Sequence, residues 1–332
     1  MKYRMFWNIG VHQMTRPLRI VDLFAGIGGI RLGVQSAFPQ SKCVFTSEIN
    51  KYSIQTYQTN FGDEAVHGDI TQVDEKTIPD HDILLAGFPC QPFSQAGLKK
   101  GFSDTRGTLF FDIERILLEK RPSMILLENV KQLKGHDKGN TLKTILQHLE
   151  MAGYKTYWQV LKARDFGVPQ NRERIYIVGF LNHEIEFKFP QPTQIETCVG
   201  QILEAHVDDK YTISDKLWQG HQLRKLKNKA AGKGFGYGLF DENSAYTNTM
   251  SARYYKDGSE ILIAQHGKNP RKITPREAAR LQGFPDQFKI SVSDTQAYQQ
   301  FGNSVAVPVI QAIAKQIKLA LTQCPVQMQL AI

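Results

Sequence analysis

The chain has 332 residues, 41% hydrophobic, with 41 Lys and Arg against 32 Asp and Glu and a formal net charge of +9. That length allows one large domain or two ordinary ones, and no run approaches the ~18 apolar residues of a membrane span. Cys43, Cys90, Cys198 and Cys324 lie far apart with no CxxC pair, which argues against a disulfide framework or a metal site and fits a reducing cytoplasm.

Met1 to Pro17 carries Lys2, Arg4, His12 and Arg16 and does not read as a secretory signal. Arg19 to Phe24 predicts a strand, followed by a glycine turn and a helix over Ile30 to Ala37. Lys42 to Ser47 predicts a second strand that ends at Glu48. Ile83 to Ala86 and Ser123 to Leu127 predict further strands, and Lys155 to Val160 and Ile175 to Phe180 complete the set. Helical stretches lie between them, over Phe110 to Glu119 and Thr141 to Met151. Strands alternating with helices imply a mostly parallel α/β sheet covered on both faces, with ligands at the carboxyl ends of its strands.

After Phe187 the periodicity weakens. Between His221 and Lys272 stand ten Lys or Arg against four Asp or Glu, a basic block that suits a polyanion or, more plainly, a solvated face. Ser251 to Leu262 reads as a hairpin around Asp257-Gly258. This segment is expected to form a smaller, irregular domain. Regular order returns with a helix capped by Thr274, with Pro275 first and Glu277 in the capping-box position. Ala312 to Leu321 predicts a last amphipathic helix.

Four sites stand out. In Asp22-Leu23-Phe24-Ala25-Gly26-Ile27-Gly28-Gly29, glycines follow a strand and let backbone approach a cofactor. A dinucleotide fingerprint wants glycine where Arg31 stands, so a cofactor held by acidic side chains is favoured over one held by phosphates. Glu48 can accept hydrogen bonds from ribose hydroxyls, and Asp69-Ile70 offers a carboxylate and an apolar side chain to an adenine. Cys90, between Pro89 and Pro92 at a strand end, is placed as a nucleophile. Glu128, closing the run Met124 to Leu127, should hold a proton near neutrality if buried. Arg172 and Arg174, two apart in an extended segment, can face an anion or a base.

Asp22–Gly29, Gly87–Ser94, Glu128-Asn129-Val130, Gln170–Arg174 and Phe301-Gly302-Asn303-Ser304-Val305, in this order, resemble the C5-cytosine DNA methyltransferases of bacterial restriction–modification systems. The resemblance implies a Rossmann-like S-adenosylmethionine-dependent methyltransferase sheet with a smaller irregular, β-rich target-recognition domain. The catalytic domain would take 1–188 with 303–332, target recognition 189–268, and a hinge and support 269–302. Cys90 matches the nucleophile, Glu128 the group at cytosine N3, and Arg172 and Arg174 the arginines beside the base. Phe24, Ala25, Gly26, Gly28, Glu48, Ile49, Asp69, Ile70, Pro89, Leu109, Asn303 and Val305 match positions that line the cofactor pocket. Ser94, Thr249, Arg253, Tyr254, Tyr255 and Lys256 are candidates for contact with DNA. Ile49 stands where relatives often carry an aromatic, and Met250 where a smaller aliphatic is usual.

The implied reaction is methyl transfer to C5 of a flipped cytosine in double-stranded DNA. The implied setting is a cytoplasmic monomer, paired functionally with a restriction endonuclease without a stable complex and independent of any membrane. The segment 234–263 resembles recognition domains for short CC-containing sites such as CCWGG or CCNGG.

Overall fold

The computed structural model describes residues 16–62, 65–89, 109–193 and 195–324. In chain order the first part holds β1 (Arg19–Leu23), α1 (Gly29–Ala37), β2 (Lys42–Ser47), α2 (Lys51–Phe61), β3 (Val66–His67), β4 (Ile83–Gly87), α3 (Leu109–Lys120), β5 (Met124–Val130), α4 (Asn140–Met151), β6 (Lys155–Lys162) and β7 (Glu173–Phe180). The remainder holds α5 (Asp215–Ala230), β8 (Leu239–Phe240), β9 (Leu262–Ile263), β10 (Arg271–Lys272), α6 (Pro275–Leu281), α7 (Asp294–Asn303) and α8 (Val307–Gln323).

The first seven strands form one sheet in the order β3-β2-β1-β4-β5-β7-β6. β1 to β5 run parallel, and β7 enters antiparallel between β5 and β6. Successive strand side chains point to opposite faces, so the continuous apolar runs feed two cores. Ile20, Ile83, Leu85 and Leu126 pack with Ile30 and Val34 of α1 and Ile310, Ile313 and Ile317 of α8. Val21, Leu23, Leu84, Ala86 and Leu127 pack with Ile113 and Leu117 of α3 and Ile145 and Leu149 of α4. Each such Val, Leu or Ile side chain contributes roughly 1.5–3 kcal/mol on burial. α1 meets α8 closely at Gly33, where a Cβ would stand 2.5 Å from Ile310 Cβ. The strand order reverses between β1 and β4, which opens a crevice at their carboxyl ends.

The stretch Asp294–Gln323 is long and apolar enough to cross a membrane by length and composition alone, a run that inspection of the sequence passed over. It is two helices, α7 and α8, separated by Ser304 to Ala306. α8 turns Val309, Ile310, Ile313, Ala314 and Ile317 into the first core.

Residues 199–307 build a third core around Met250, Tyr254, Ile261, Ile273, Leu281 and Phe301, joined by Ile27 of the glycine turn. Its sheet has the order β10-β9-β8, with β9 antiparallel to β10 and parallel to β8. The hairpin expected at Asp257-Gly258 does not form, and 252–257 is a run of turns. Tyr254 causes this. Its buried hydroxyl donates to Ile261 O at 2.7 Å and accepts from Ile273 N at 2.9 Å, drawing the chain inward.

Helix α5 is a second departure, since its sequence shows little apolar periodicity. Polar contacts dock it. His221 is its only fully buried residue and bonds Asp257 O at 3.1 Å, and Arg224 pairs with Asp257 at 2.9 Å and donates to Gly236 O at 3.1 Å. The cap of α6 forms as the sequence implies. Thr274 Oγ1 accepts from Glu277 N at 3.1 Å, and Glu277 Oε2 accepts from Thr274 N at 2.8 Å. Arg271 grips the same fully buried carboxylate at 2.7 and 2.8 Å and ties β10 to the helix.

Burial holds His81 down to about 4; its Nδ1 donates to Pro79 O at 2.9 Å and its Nε2 is buried without a partner among the described residues. A folded pKa below the unfolded one means that the unfolded chain takes up the proton first. The His81 contribution is therefore complete above about pH 6.5 and is lost as pH falls toward 4, on the order of 3 kcal/mol. Denaturant unfolding of wild type and His81→Gln should diverge by that amount between pH 7 and pH 4, with wild type losing more stability.

Candidate active site

A cleft of about 530 Å³ lies outside the carboxyl ends of the parallel strands. One wall is the turn from β1 to α1. Phe24 has φ +53°, Gly26 +56° and Gly28 +81°, and the left-handed region costs a non-glycine residue roughly 1–2 kcal/mol. The turn is fastened by Ala25 N donating to Ser47 O at 3.1 Å and Gly28 N to Ala25 O at 2.8 Å. At Gly26 a Cβ would meet nothing within 4 Å, because that side opens into the cleft. Gly28 faces the other way: a Cβ there would collide with the Phe61 ring. It shapes the turn from behind and does not line the cleft.

Arg31, where a dinucleotide site wants glycine, is buried. Its guanidinium lies 4.3 Å from the Phe61 ring centre and donates to Tyr57 Oη at 3.0 Å. The start of α1 is thus committed to packing rather than to phosphate.

Glu48 joins the turn to the next strand end. Oε2 accepts from Gly26 N and Oε1 from Asn50 N, both at 2.7 Å. Each oxygen keeps a lone pair for a further donor. Asp69 uses Oδ1 on the Thr71 amide and hydroxyl at 3.0 and 2.8 Å. Ile49, 73% exposed, stands at the rim, and Ile70, Leu109, Asn303 and Val305 also line the space. Two carboxylates, an apolar rim and backbone amides suit a nucleoside with a sugar and a base.

The opposite wall belongs to β5. Glu128 is 8% exposed and pairs with Gly87 in register. Its Oε1 takes Arg174 Nε at 3.1 Å. Arg174 reaches it diagonally from β7, because Glu128 itself lies opposite Tyr176. A Cβ on Gly87 would stand 3.5 Å from Oε2, so the second oxygen faces the end of β4. Burial pushes Glu128 above the usual carboxylate range, against the pull of Arg174 and then Arg172. Asn129 Nδ2 donates to Phe88 O at 2.9 Å and fixes the backbone that runs through Pro89 toward Cys90. Pro89 lines the cleft; Cys90 and Ser94 lie outside the described residues.

The structure places Arg172 elsewhere than expected. It does not face the cleft: 2% exposed, it donates to Met250 O at 3.1 Å, Gly302 O at 3.1 Å and Ser304 O at 2.6 Å. Burial and neighbouring Arg174 bring it down to about 9, still cationic at neutrality. Tyr254 is also relocated, fully buried in the third core and closed to any DNA contact. Tyr255 packs partly against that core, while Arg253 and Lys256 are exposed. The Thr249 hydroxyl donates to Asn171 O at 2.6 Å.

Sequence reasoning missed Asn50 and Ser53 at the start of α2, and Gln296 and Gln299 of α7, all of which line the cleft. The cap at Asn50, which accepts from Tyr52 N and Ser53 N, was a legible signal. The glutamines carry none, since only tertiary packing brings α7 to the rim.

A family model described as C-5 cytosine-specific DNA methylase matches residues 18–319. The chain is 75% identical over 304 residues to the Type II methyltransferase M.NlaX of Neisseria lactamica, covering 92% of this chain and 97% of that relative. It is 66% identical over 310 residues to M1.ScrFI of Lactococcus lactis subsp. cremoris, covering 92% and 79%. Among solved structures, the Dnmt2 methyltransferase of S. pombe matches with a TM-score of 0.74 at 23% identity, covering 92% of this chain and 98% of that one, a likeness of fold.

Arg174 is the nearest opposing charge on Glu128, so Arg174→Gln should move the Glu128 carboxyl titration further up. Site-specific carbon-13 NMR of labelled glutamate reads this directly. An unmoved titration would mean that burial alone sets it.

Proposed function

The chain belongs to the C-5 cytosine-specific DNA methylase family and is a DNA cytosine-5-methyltransferase, and on that premise we propose that it methylates one cytosine of a short duplex site from S-adenosylmethionine, with Cys90 as nucleophile. The observation that carries the reading is Glu128, a carboxyl raised by burial beside Arg174, aimed at the segment that leads into Cys90.

The cofactor, when bound, supplies an electrophilic methyl group. Glu48 and Asp69 would hold its hydroxyl and amino groups, Ile49 would cover its base, and the open backbone at Gly26 would admit its chain. Cytosine C5 is a weak nucleophile until C6 is attacked. The Cys90 thiolate bonds to C6 while Glu128 delivers or shares a proton at N3, and the ring electrons move to C5. Once C5 carries the methyl group, a base such as water takes the C5 proton, the C5–H electrons re-form the C5–C6 double bond as the C6–S bond breaks and the thiolate is expelled, and N3 returns its proton to Glu128. An ordinary thiol titrates near ~8.5, and the cation Arg174 beside Glu128 favours the anion. C5 and C6 are closed off in a stacked duplex, so the base is extruded into the cleft at a cost of a few kcal/mol.

Residues 189–268 are the proposed recognition domain, with the exposed Arg253 and Lys256 as candidate DNA contacts and a CC-containing site as target. A cognate restriction endonuclease is the functional partner.

Cys90→Ser should abolish methyl transfer and leave duplex binding intact, and Glu128→Gln should lower kcat by roughly 10²–10⁴-fold. Tritium transfer and gel-shift titration read the two properties separately. Full activity of Cys90→Ser would sink the nucleophile. Bisulfite sequencing of methylated plasmid reads the site and the modified base together. Duplex affinity should fall steeply with salt through phosphate contacts, and a flat response would take the basic segment out of the interface.

A further inference from the structure

Two buried hydrogen-bond routes run from a single backbone position in the recognition loop to the segment that lines the cofactor side of the cleft. The first leaves Met250 O, which accepts from Arg172 Nη1 at 3.1 Å, and continues through Arg172 Nη2 to Gly302 O at 3.1 Å and Ser304 O at 2.6 Å. The second leaves Met250 N, which donates to Gln170 Oε1 at 3.0 Å. Gln170 Nε2 then donates to Gln282 Oε1 at 3.2 Å, Gln282 Nε2 donates to Phe301 O at 2.8 Å, and Gln282 O accepts from Val307 N at 2.8 Å. Met250, Gln170 and Gln282 have no exposed surface, and Arg172 has 2%.

The backbones themselves are in contact. A Cβ on Gly302 would collide with Ser251 O and stand 2.5 Å from Ala252 N. Thr247 and Asn171 also exchange a backbone bond at 2.9 Å, and Thr249 closes the edge through Asn171 O. Residues 247–252 and 301–305 are therefore tied together through Arg172, Gln170 and Gln282, although the Arg172 Nε is buried without a partner among the described residues. One end carries Thr249 beside the exposed Arg253, and the other carries Asn303 and Val305 in the cleft.

We propose that Arg172 and Gln170 are positioning residues that lock the recognition loop to the cofactor-lining loop, so that cofactor binding and binding of the cognate duplex are thermodynamically coupled through Met250. This rests on the proposed function. Neither residue touches cofactor or DNA; each acts through the Met250 backbone. Ordering one loop by its ligand pre-orders the other, and linkage requires the effect to be equal in both directions.

The test measures the affinity of a fluorescent duplex carrying the site read by bisulfite sequencing, with and without saturating S-adenosylhomocysteine, and the same ratio for a duplex with the site scrambled. In wild type the ratio should be roughly 5- to 150-fold for the cognate duplex and close to one for the scrambled one. Arg172→Lys, whose single ammonium cannot span three carbonyls, should bring the cognate ratio toward one. A residue that only holds the fold together changes both affinities by the same factor and leaves their ratio alone. Thermal melting identifies a variant that does not fold, in which case Gln170→Met interrupts the second route. On wild type, hydrogen exchange at the Met250 amide should slow when S-adenosylhomocysteine binds. Failure of wild type to bind S-adenosylhomocysteine or duplex overturns the functional reading. Binding of both with a cognate ratio of one, an undiminished ratio in a folded variant, or unchanged exchange at Met250 overturns the coupling alone.

Discussion

Burial of β5 on both faces, up to and including Glu128, is the constraint from which the chemistry of the cleft follows. A carboxylate at that depth is expensive to ionise, and a single ion pair from the neighbouring antiparallel strand only partly offsets the loss of water. The insertion of β7 between β5 and β6 is what delivers Arg174 diagonally across from Glu128. With an edge strand in place of β7, the carboxyl would meet solvent and titrate as an ordinary acid. The antiparallel strand is thus part of how the fold tunes its own acid.

The glycine turn poses the opposite problem. Here backbone must approach a ligand without a phosphate to grip. Glu48 uses one carboxylate to order two amides at the cleft mouth, Gly26 and Asn50, while Arg31 fills the space beneath with a guanidinium stacked on Phe61. The geometry of a strand–turn–helix junction is shared with dinucleotide sites, but its rim is acidic, and the guanidinium beneath shares Tyr57 with the buried Asp22 carboxylate.

How much of this was legible follows from how local each feature is. β1, β2 and β4 to β7 announced themselves as apolar runs, and the α6 cap was spelled out by Thr274, Pro275 and Glu277 because capping is settled within four residues. The acidic residues at strand ends were legible for the same reason. Helix α5 was not, since its docking through His221 and Arg224 leaves no apolar period to find. Tyr254 looked like a surface aromatic among cations, yet its hydroxyl finds two backbone partners, 7 and 19 residues along the chain. Arg172 could not be told from Arg174 by spacing alone. Which of the two meets Glu128 and which turns inward depends on carbonyls 78 to 132 residues away.

The close approach of α1 to α8 at Gly33 has a consequence for synthesis. Ile310 leaves the ribosome 277 residues after Gly33, and until it does, the face of the sheet formed by Ile20, Ile83, Leu85 and Leu126 has no cover from α8. The nascent sheet must therefore wait through translation of the whole recognition segment with one apolar face open. At ~5–20 residues per second that interval lasts on the order of tens of seconds. Slowing elongation within residues 189–306 lengthens the time for which that face lacks its α8 cover.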